Sequence, residues 1–225
     1  MKRSLLCPLR TLVFSSLFLA QLLVAPNGTA AGPDPFGPGP WEQLGTSKGV
    51  KLGRKLMPNS ELFAVRGETT IPASPEKVAS VICDPSRWKE WTRSMMGAGV
   101  IEDLSAQSRV VFQTFDLPFP VRDRDVVYQY EWRRNGQTIE VEGRNATPVN
   151  APKSIGVRMN LVIGRWFLNP APNNQTHLVL EILMDPRGSL PSWFVNLVQR
   201  NYPTDTLNAL KAQVQKPDIQ ALSLP

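Results

Sequence analysis

The chain has 225 residues and a formal net charge of +6, with 25 Lys and Arg against 19 Asp and Glu. Its basic residues are spread along the sequence without a Lys/Arg tract or a basic-aromatic motif, so we predict no binding to nucleic acid. A chain of this length can bury a core of its own, and it shows no internal repeat, so we predict one folded domain.

The N-terminal region has the layout of a secretory signal peptide. Three basic residues flank the start of an uncharged apolar run at 11–25, and Thr29-Ala30-Ala31 offers a small-x-small cleavage site. The run is shorter than the roughly 20 residues that span a bilayer, which disfavours a retained membrane anchor. We therefore predict a signal peptide over residues 1–31 and an exported protein, periplasmic or extracellular.

Removal of this peptide leaves 22 basic and 19 acidic residues, a net charge of +3. Cys83 is then the only cysteine, so no internal disulfide can form even in an oxidising compartment. The mature chain must be stabilised by burial of apolar side chains.

Residues 32–40 (GPDPFGPGP) are rich in Pro and Gly and are predicted to be a linker. The folded domain is then expected over residues 41–216, followed by a C-terminal tail at 217–225. Alternating side chains over residues 61–71 predict the first strand.

A helix is predicted to begin after this strand, because Ser74-Pro75-Glu76 supplies an N-cap, a first-turn proline and an acidic first-turn residue. Its apolar stripe continues to Ile82, and Asp84-Pro85 is expected to end it. Trp88 and Trp91 lie three residues apart, so we expect them on one side of a further helical turn.

The middle of the chain predicts a series of antiparallel strands. Asn135-Gly136 is typical of a two-residue type I′ hairpin turn, which needs positive φ at both positions. We expect the last two strands to be separated by Gly164-Arg165-Trp166 and a turn-rich segment. The strands are predicted over residues 109–115, 125–133, 137–144, 155–163 and 176–184.

A long amphipathic helix is predicted at the C-terminal end, where Ser189 can cap it or Pro191 can start it. Trp193 and Leu197 have the i,i+4 spacing of one helix face. Pro203 is expected to kink this helix or split it in two. The element order predicts an α+β fold in which one helix covers one face of a curved antiparallel sheet.

One face of this sheet is unusually aromatic. Tyr128, Tyr130 and Trp132 alternate along one strand and therefore share a face. Because buried tyrosine and tryptophan each need a polar partner, a ligand pocket and an ordinary sealed core both fit this pattern. The other side chains predicted to point inward are Val110, Phe112, Thr114, Ile139, Val141, Leu178, Leu180, Ile182 and Met184.

The sequence from Trp41 to about Lys216 resembles a START domain, the steroidogenic acute regulatory-related lipid transfer family of the helix-grip superfamily. The Arg-Asp before a strand, followed at the right spacing by Asp-x-x-Gly-x-Leu-Pro before the last helix, carries most of this resemblance. The matching stretches are Trp41-Glu42-x-Leu44, IPASPEKVASVICD at 71–84, PFPVRDRDVV at 118–127, Trp166-x-x-x-Pro170 and MDPRGSLPSWFVN at 184–196.

The resemblance implies a helix-grip fold, in which a curved antiparallel β-sheet wraps around the long C-terminal α-helix and encloses a hydrophobic cavity. It implies one bound lipid or other small hydrophobic ligand, transient contact with membranes and a monomeric protein. The side chains that we expect to line the cavity are Phe112, Thr114, Tyr128, Tyr130, Trp132, Leu180, Trp193, Phe194 and Leu197.

Arg124, Asp125 and Arg158 are expected to have a structural role at the gate of this cavity. The resemblance implies that Arg124-Asp125 fixes a neighbouring loop through a charge-assisted hydrogen bond. We expect the 118–123 loop and the start of the last helix to form the gate.

The identity of the ligand stays open, because the sequence departs from some sterol-binding members of the family. Those members carry a buried acid-base pair at places that correspond to Thr114 and Tyr130, which are neutral here. A sterol-like molecule, a phospholipid and a fatty-acyl lipid all remain compatible with the sequence.

Other chemistry has little support in the sequence. His177 is the only histidine and lies where a solvated strand residue is expected. No Cys/His spacing suggests zinc, and no nucleotide-binding or hydrolase motif occurs, so we predict no metal, no cofactor and no catalytic residues.

Three functions remain open. The first is an exported lipid-binding or lipid-transfer protein. The second is a helix-grip enzyme of cyclase/aromatase or hydrolase type, in which pocket tyrosines or Arg158 would orient an aromatic or polyketide-like substrate. The third is a binding module that senses a ligand or hands it to a membrane partner.

Overall fold

A long curved antiparallel sheet packs against a C-terminal helix. This computed structural model describes residues 34–58, 62–190 and 192–222, without the side chains of residues 192–200. The predicted signal peptide over residues 1–31 lies outside these ranges and stays a prediction. Within them, the predicted α+β helix-grip fold is confirmed.

Ten strands of the described residues form the sheet in the order β1-β2-β3-β10-β9-β7-β6-β5-β4, and the short β8 pairs in parallel with β6. Both outermost strands have irregular registers, at one place in β1 and at two in β4. The strands are β1 Glu42–Ser47, β2 Val50–Leu56, β3 Phe63–Ile71, β4 Met95–Asp103, β5 Ser108–Phe115, β6 Arg124–Asn135, β7 Thr138–Asn145, β8 Val157–Arg158, β9 Asn160–Ala171 and β10 Gln175–Asp185.

The first helix, α1 Pro75–Ile82, begins where the sequence predicted. The Ser74 hydroxyl accepts a hydrogen bond from the Lys77 backbone N–H at 3.3 Å, which satisfies a free donor of the first turn. A 3₁₀ helix, Pro85–Glu90, follows, and the indole N–H of Trp88 donates to the Ile82 carbonyl at 2.9 Å. This bond fixes the Trp88 ring between α1 and the sheet.

The hairpin between β6 and β7 differs by one residue from the prediction. Asn135 pairs with Thr138, so the two loop residues are Gly136 and Gln137. Gly136 has a φ of +59° and Gln137 lies outside the left-handed region, the pattern of a type II′ turn rather than type I′. A type II′ turn needs positive φ only at its first loop position, and Gly136 adopts that conformation without steric cost.

The strand that was expected to end at residue 163 continues to residue 171. β9 runs through Gly164, Arg165 and Trp166, and pairing with β10 extends to Ala171. The turn is therefore confined to residues 172–174, where Asn173 and Asn174 both adopt positive φ. The pairing with two neighbouring strands, β7 and β10, holds this glycine- and proline-containing segment extended.

Strands β1, β2 and β4 were not predicted. Their apolar residues are interrupted by glycines and charged residues, as in VKLGRKL of β2. Only the pairing of β1 with β2, of β2 with β3 and of β4 with β5 reveals them as strands.

The second helix, α2 Ser192–Val214, continues past Pro203 without a break, so the predicted split does not occur. Leu207, Leu210 and Val214 are fully buried against the sheet and α1. Pro203 is buried against β3 at Gly67, where an added Cβ would lie 2.9 Å from the Pro203 Cβ. The contact of this proline with the sheet offsets the backbone hydrogen bond that it cannot donate.

Both flanking segments pack on the domain instead of extending from it. In the predicted linker, Phe36 is fully buried, and its ring lies 5.4 Å from that of Trp41. In the predicted tail, Ile219 is buried and the Leu222 backbone N–H donates to the Glu76 carbonyl at 3.1 Å. Folded structure therefore extends beyond residues 41–216 at both ends.

Candidate ligand-binding site

A cavity of about 110 Å³ lies between the concave face of the sheet and α2. The curvature of the sheet brings five of its strands, β5, β6, β7, β9 and β10, to one side of the cavity, and Trp88 and Trp91 close it on the α1 side. Tyr202 and Thr206, one turn apart on α2, line the side of the cavity that the helix covers. The sheet contributes Gln113 and Phe115, Val126, Tyr128 and Tyr130, Val141 and Gly143, Leu161, Gly164 and Trp166, and Leu180, Ile182 and Met184.

Three of the predicted cavity residues, Tyr128, Tyr130 and Leu180, line this cavity. Trp132 is buried in the core and borders a second, separate space of about 140 Å³ formed with Cys83, Arg109 and Leu222. The side chains of Trp193, Phe194 and Leu197 lie outside the described residues, so their place at the cavity stays a prediction.

Phe112 and Thr114 were predicted on the wrong face of β5. Residues directly opposed across an antiparallel pair share a face, and Tyr128 opposes Val111 while Val126 opposes Gln113. The odd-numbered residues of β5 therefore point toward the cavity.

Phe112 and Thr114 instead contact β4. An added Cβ on Gly99 would lie 2.8 Å from the Phe112 ring, and the Thr114 hydroxyl donates to the Gly97 carbonyl at 3.2 Å. The alternation in VVFQTF is ambiguous because apolar residues occur on both faces of the strand. A shift of one residue in the assignment moves every side chain to the opposite face of the sheet.

The aromatic side chains of the cavity are held by contacts with one another and with the backbone. The ring of Trp88 stacks on Tyr128 with centroids 6.3 Å apart and is tilted against Tyr130 at 6.1 Å. The Tyr130 hydroxyl donates to the Cys83 carbonyl at 3.0 Å, which links β6 to the end of α1. These rings form a rigid wall rather than a loose apolar surface.

Two polar groups in the cavity have unused hydrogen-bonding capacity. The Gln113 amide Nε2 donates to the Tyr128 hydroxyl at 3.0 Å, so the hydroxyl proton is free for another partner. The indole Nε1 of Trp91 is buried and has no hydrogen-bond partner in the part of the chain that the structure describes.

The tyrosines of this wall stay protonated at physiological pH. Burial raises the pKa of Tyr128 well above its usual value, and it raises the pKa of Tyr130 to about 12. Their hydroxyl groups are therefore neutral hydrogen-bond donors and acceptors. None of the described residues that line the cavity is Asp, Glu, Lys, Arg or His.

The predicted gate residues form a buried junction at the start of β6. Asp125 accepts a hydrogen bond from Arg158 Nε at 2.5 Å and a second from the Ser154 hydroxyl. Because β8 pairs in parallel with β6 at these positions, the ion pair joins two adjacent strand ends. Arg124 and Asp125 are not bonded to each other, and each makes charge-assisted hydrogen bonds to a neighbouring segment of the chain.

Arg124 instead donates only to backbone carbonyls. Its Nε lies 3.3 Å from the Pro186 oxygen and its Nη2 lies 3.5 Å from the Arg187 oxygen, with a further bond to Arg122. Pro186 and Arg187 lie in the segment that leads into α2. Arg124 therefore connects the start of β6 to the chain that enters the cavity-covering helix.

Two loops beside this junction expose large apolar side chains. Phe119, in the loop 116–123, is 95% exposed, and Val149, in the loop 146–156, is fully exposed. The loops are joined at their bases, where the Val157 backbone N–H donates to the Asp123 carbonyl at 3.0 Å. The first loop begins directly after Phe115, which lines the cavity.

Sequence reasoning missed several cavity residues. Gln113 and Phe115 were missed through the register of β5, and Trp166 was assigned to a turn. Tyr202 and Thr206 have the i,i+4 spacing that could have revealed a helix face beside Leu207.

The described part of the chain contains neither a metal-binding cluster nor a helix that could span a membrane. No group of three or more His, Cys, Asp or Glu there is arranged to hold a metal ion. Neither α1 nor α2 contains a stretch that is long and apolar enough to cross a bilayer.

Comparison with known proteins agrees with this geometry. The START domain model matches residues 40–218. The uncharacterized protein PA1579 of Pseudomonas aeruginosa is 25% identical over 177 residues, which cover 78% of this chain and 87% of that protein.

Two further similarities concern lipid transfer proteins. The bovine (Bos taurus) phosphatidylcholine transfer protein is 25% identical over 167 residues, 72% of this chain and 78% of that protein. A crystal structure of a STAR-related lipid transfer protein fragment from Xanthomonas axonopodis has a TM-score of 0.67 at 23% identity and covers 78% of this chain and 99% of that chain. The similarity to the Xanthomonas axonopodis structure shows that the two chains share a fold.

Proposed function

The chain belongs to the START domain family, and on this premise we propose that it binds one hydrophobic ligand beneath α2 and carries it between membranes after export. The aromatic, uncharged cavity between α2 and the sheet is the observation that carries this proposal. Apolar walls with a few oriented polar groups are typical of small-molecule sites.

A carrier function fits the chemistry of this cavity better than catalysis. The titratable groups among its described lining residues are tyrosines, and burial keeps Tyr128 and Tyr130 protonated at neutral pH. General acid-base catalysis near neutrality needs a group whose pKa lies close to the working pH.

A cavity-filling variant tests this proposal. Gly164 lines the cavity, and an added Cβ would meet only Leu161 and Ile182 at ordinary contact distances, so Gly164→Leu should fill ligand space without breaking the fold. We expect the wild type to co-purify with about one lipid and to move lipid between vesicles, and the variant to lose most of both activities, as measured by native mass spectrometry and vesicle transfer.

Val162→Phe is the matched control, because Val162 lies on β9 two residues away and is partly exposed. It should leave lipid loading unchanged. A wild-type protein that takes up no lipid, or a Gly164→Leu protein that loads as fully as the wild type, would contradict the proposal.

We further propose that the loops bearing Phe119 and Val149 contact the membrane. Two exposed large apolar side chains on adjacent loops are costly in water and gain from insertion into a lipid interface. Because neither side chain packs in the core, replacing both with serine should leave folding intact and weaken vesicle association several-fold in flotation assays.

Leu56→Ser is the control for this surface, since Leu56 is 67% exposed on β2, remote in sequence from both loops. Export and the cleavage of residues 1–31 are part of the same proposal and rest on the N-terminal sequence. Cell fractionation and N-terminal sequencing of the mature protein test them, and a monomer is the expected state on size-exclusion chromatography.

A further inference from the structure

We infer that the bound ligand has an uncharged polar end with a hydrogen-bond acceptor oxygen, such as an ester carbonyl or a hydroxyl, attached to an apolar body. This inference rests on the proposed binding function and specifies its ligand class. It excludes anionic headgroups and free fatty-acid carboxylates as preferred ligands. Three features of the cavity support it.

The first feature is the absence of charge among the described lining residues. A phosphate or carboxylate in this cavity would lose its hydration without gaining a positive partner, which is strongly unfavourable. The basic residues near the cavity are already engaged: Arg158 pairs with Asp125, and Arg124 donates to backbone carbonyls. Arg109 borders the second space and pairs with Asp103 at 2.6 Å.

The second feature is the unpaired indole N–H of Trp91. Its Nε1 is buried, has no hydrogen-bond partner among the described residues and belongs to a residue that lines the cavity. An indole nitrogen can only donate a hydrogen bond, so the group that satisfies it must be an acceptor. Buried polar groups are nearly always paired in native proteins, and a ligand oxygen is the partner that this cavity can supply.

The third feature is the orientation of the Gln113–Tyr128 hydrogen bond. Since Gln113 donates to the Tyr128 hydroxyl at 3.0 Å, the phenolic proton is directed to another acceptor. The Gln113 carbonyl oxygen remains an acceptor, which a ligand hydroxyl can use. Two neutral donors and one neutral acceptor therefore recognise an ester or an alcohol rather than a charged group.

The experiment compares lipids that share the same acyl chains and differ only at the polar end. Vesicles containing diacylglycerol, phosphatidylcholine or phosphatidylglycerol are offered to the apo protein, and the extracted lipid is counted by native mass spectrometry. We expect at least about tenfold preference for diacylglycerol over phosphatidylglycerol, and a long-chain alcohol should be extracted in preference to the matched fatty acid.

Trp91→Phe removes the indole donor and keeps an aromatic ring. One neutral hydrogen bond corresponds to roughly 3- to 10-fold in affinity, so diacylglycerol binding should weaken by that factor. Binding of a hydrocarbon of matched length should not change. Trp41→Phe is the matched control, because Trp41 packs on Phe36 outside the cavity.

Tyr128→Phe provides a second test should Trp91→Phe disturb folding, and it should reduce diacylglycerol binding in the same way. Equal extraction of neutral and anionic lipids would overturn this inference and leave the binding function standing. Unchanged diacylglycerol affinity in both variants would also overturn it. Failure to bind any probe, including the hydrocarbon, would overturn the binding function itself.

Discussion

Asp125 shows how one side chain near the cavity is fixed. It is 2% exposed, and its two carboxylate oxygens accept hydrogen bonds from Arg158 and Ser154. The Met159 backbone N–H also donates to the Asp125 carbonyl at 2.8 Å. Asp125 thereby determines the position of β8 against β6 through both its side chain and its backbone.

Asp125→Asn keeps the shape of this side chain and removes its charge. One of the two bonded oxygens becomes an amide donor, which cannot accept from Arg158 or Ser154. Because Arg158 is 30% exposed and can partly rehydrate, we expect a loss of about 1–3 kcal/mol in the free energy of unfolding, measured by urea denaturation.

Glu42→Gln is the control, since its ion pair with Arg54 lies at the surface. Exposed pairs contribute little, so this variant should unfold like the wild type. Equal stability of Asp125→Asn and Glu42→Gln would show that the junction contributes nothing to folding.

At the scale of elements, the contact between β3 and α2 determines how closely the helix approaches the sheet. Gly67 lies beneath the helix, where an added Cβ would be 2.8 Å from Leu207 Cδ1 and 2.9 Å from Pro203 Cβ. A glycine in a strand is otherwise destabilising, so its place here is explained by close packing.

Gly67→Ala should therefore destabilise the protein by about 1–3 kcal/mol, because the helix must shift away from β3 to admit the methyl group. Chemical denaturation measures this loss. Gly164→Ala is the control, as its new Cβ would lie at least 3.5 Å from its neighbours. A Gly67→Ala protein as stable as this control would show that close packing at Gly67 does not fix the distance between α2 and β3.

At the scale of the whole molecule, Glu90 connects the C-terminal end of α2 to the 3₁₀ helix. Its carboxylate accepts hydrogen bonds from Arg87 at 2.7 Å and from Lys216 and Gln213 at 2.8 Å. The hydrogen bond from Arg87 contributes most, and together these bonds hold the pKa of Glu90 well below its ordinary value of 4.5.

This pKa shift predicts a defined pH dependence. A carboxyl group whose pKa is lower in the folded state stabilises the fold above its unfolded pKa, and this contribution is lost as the pH falls toward the folded pKa. The melting temperature of Glu90→Gln should lie below that of the wild type near neutral pH, and the difference should shrink below about pH 4.5. A difference that stays constant down to about pH 3 would contradict this assignment.

Local sequence signals predicted local structure well. The cap at Ser74 and the acidic first turn placed the start of α1, since these interactions lie within a few residues of one another. The resemblance to START domains gave the fold as a whole. The register of β5 could not be read from its own residues, because both of its faces are partly apolar and only pairing with β6 and β4 decides between them.

The cavity was predicted only where a strong pattern marked one face. Tyr128 and Tyr130 stand out as aromatics in alternation, and Leu180 belongs to a regular apolar strand. Gln113 and Trp166 reach the cavity through pairing over long sequence separations, which no short-range pattern records. The polar character of the cavity therefore emerged only from the structure.

The irregular edges of the sheet have a consequence for behaviour in concentrated solution. The register shifts between Gln43 and Gly45 in β1, and in β4 between Met95 and Gly97 and again between Val100 and Glu102. Such bulges interrupt the straight row of backbone donors and acceptors that an incoming strand would need. Strand addition by a second copy is disfavoured at both ends, which protects the folded protein against fibre formation.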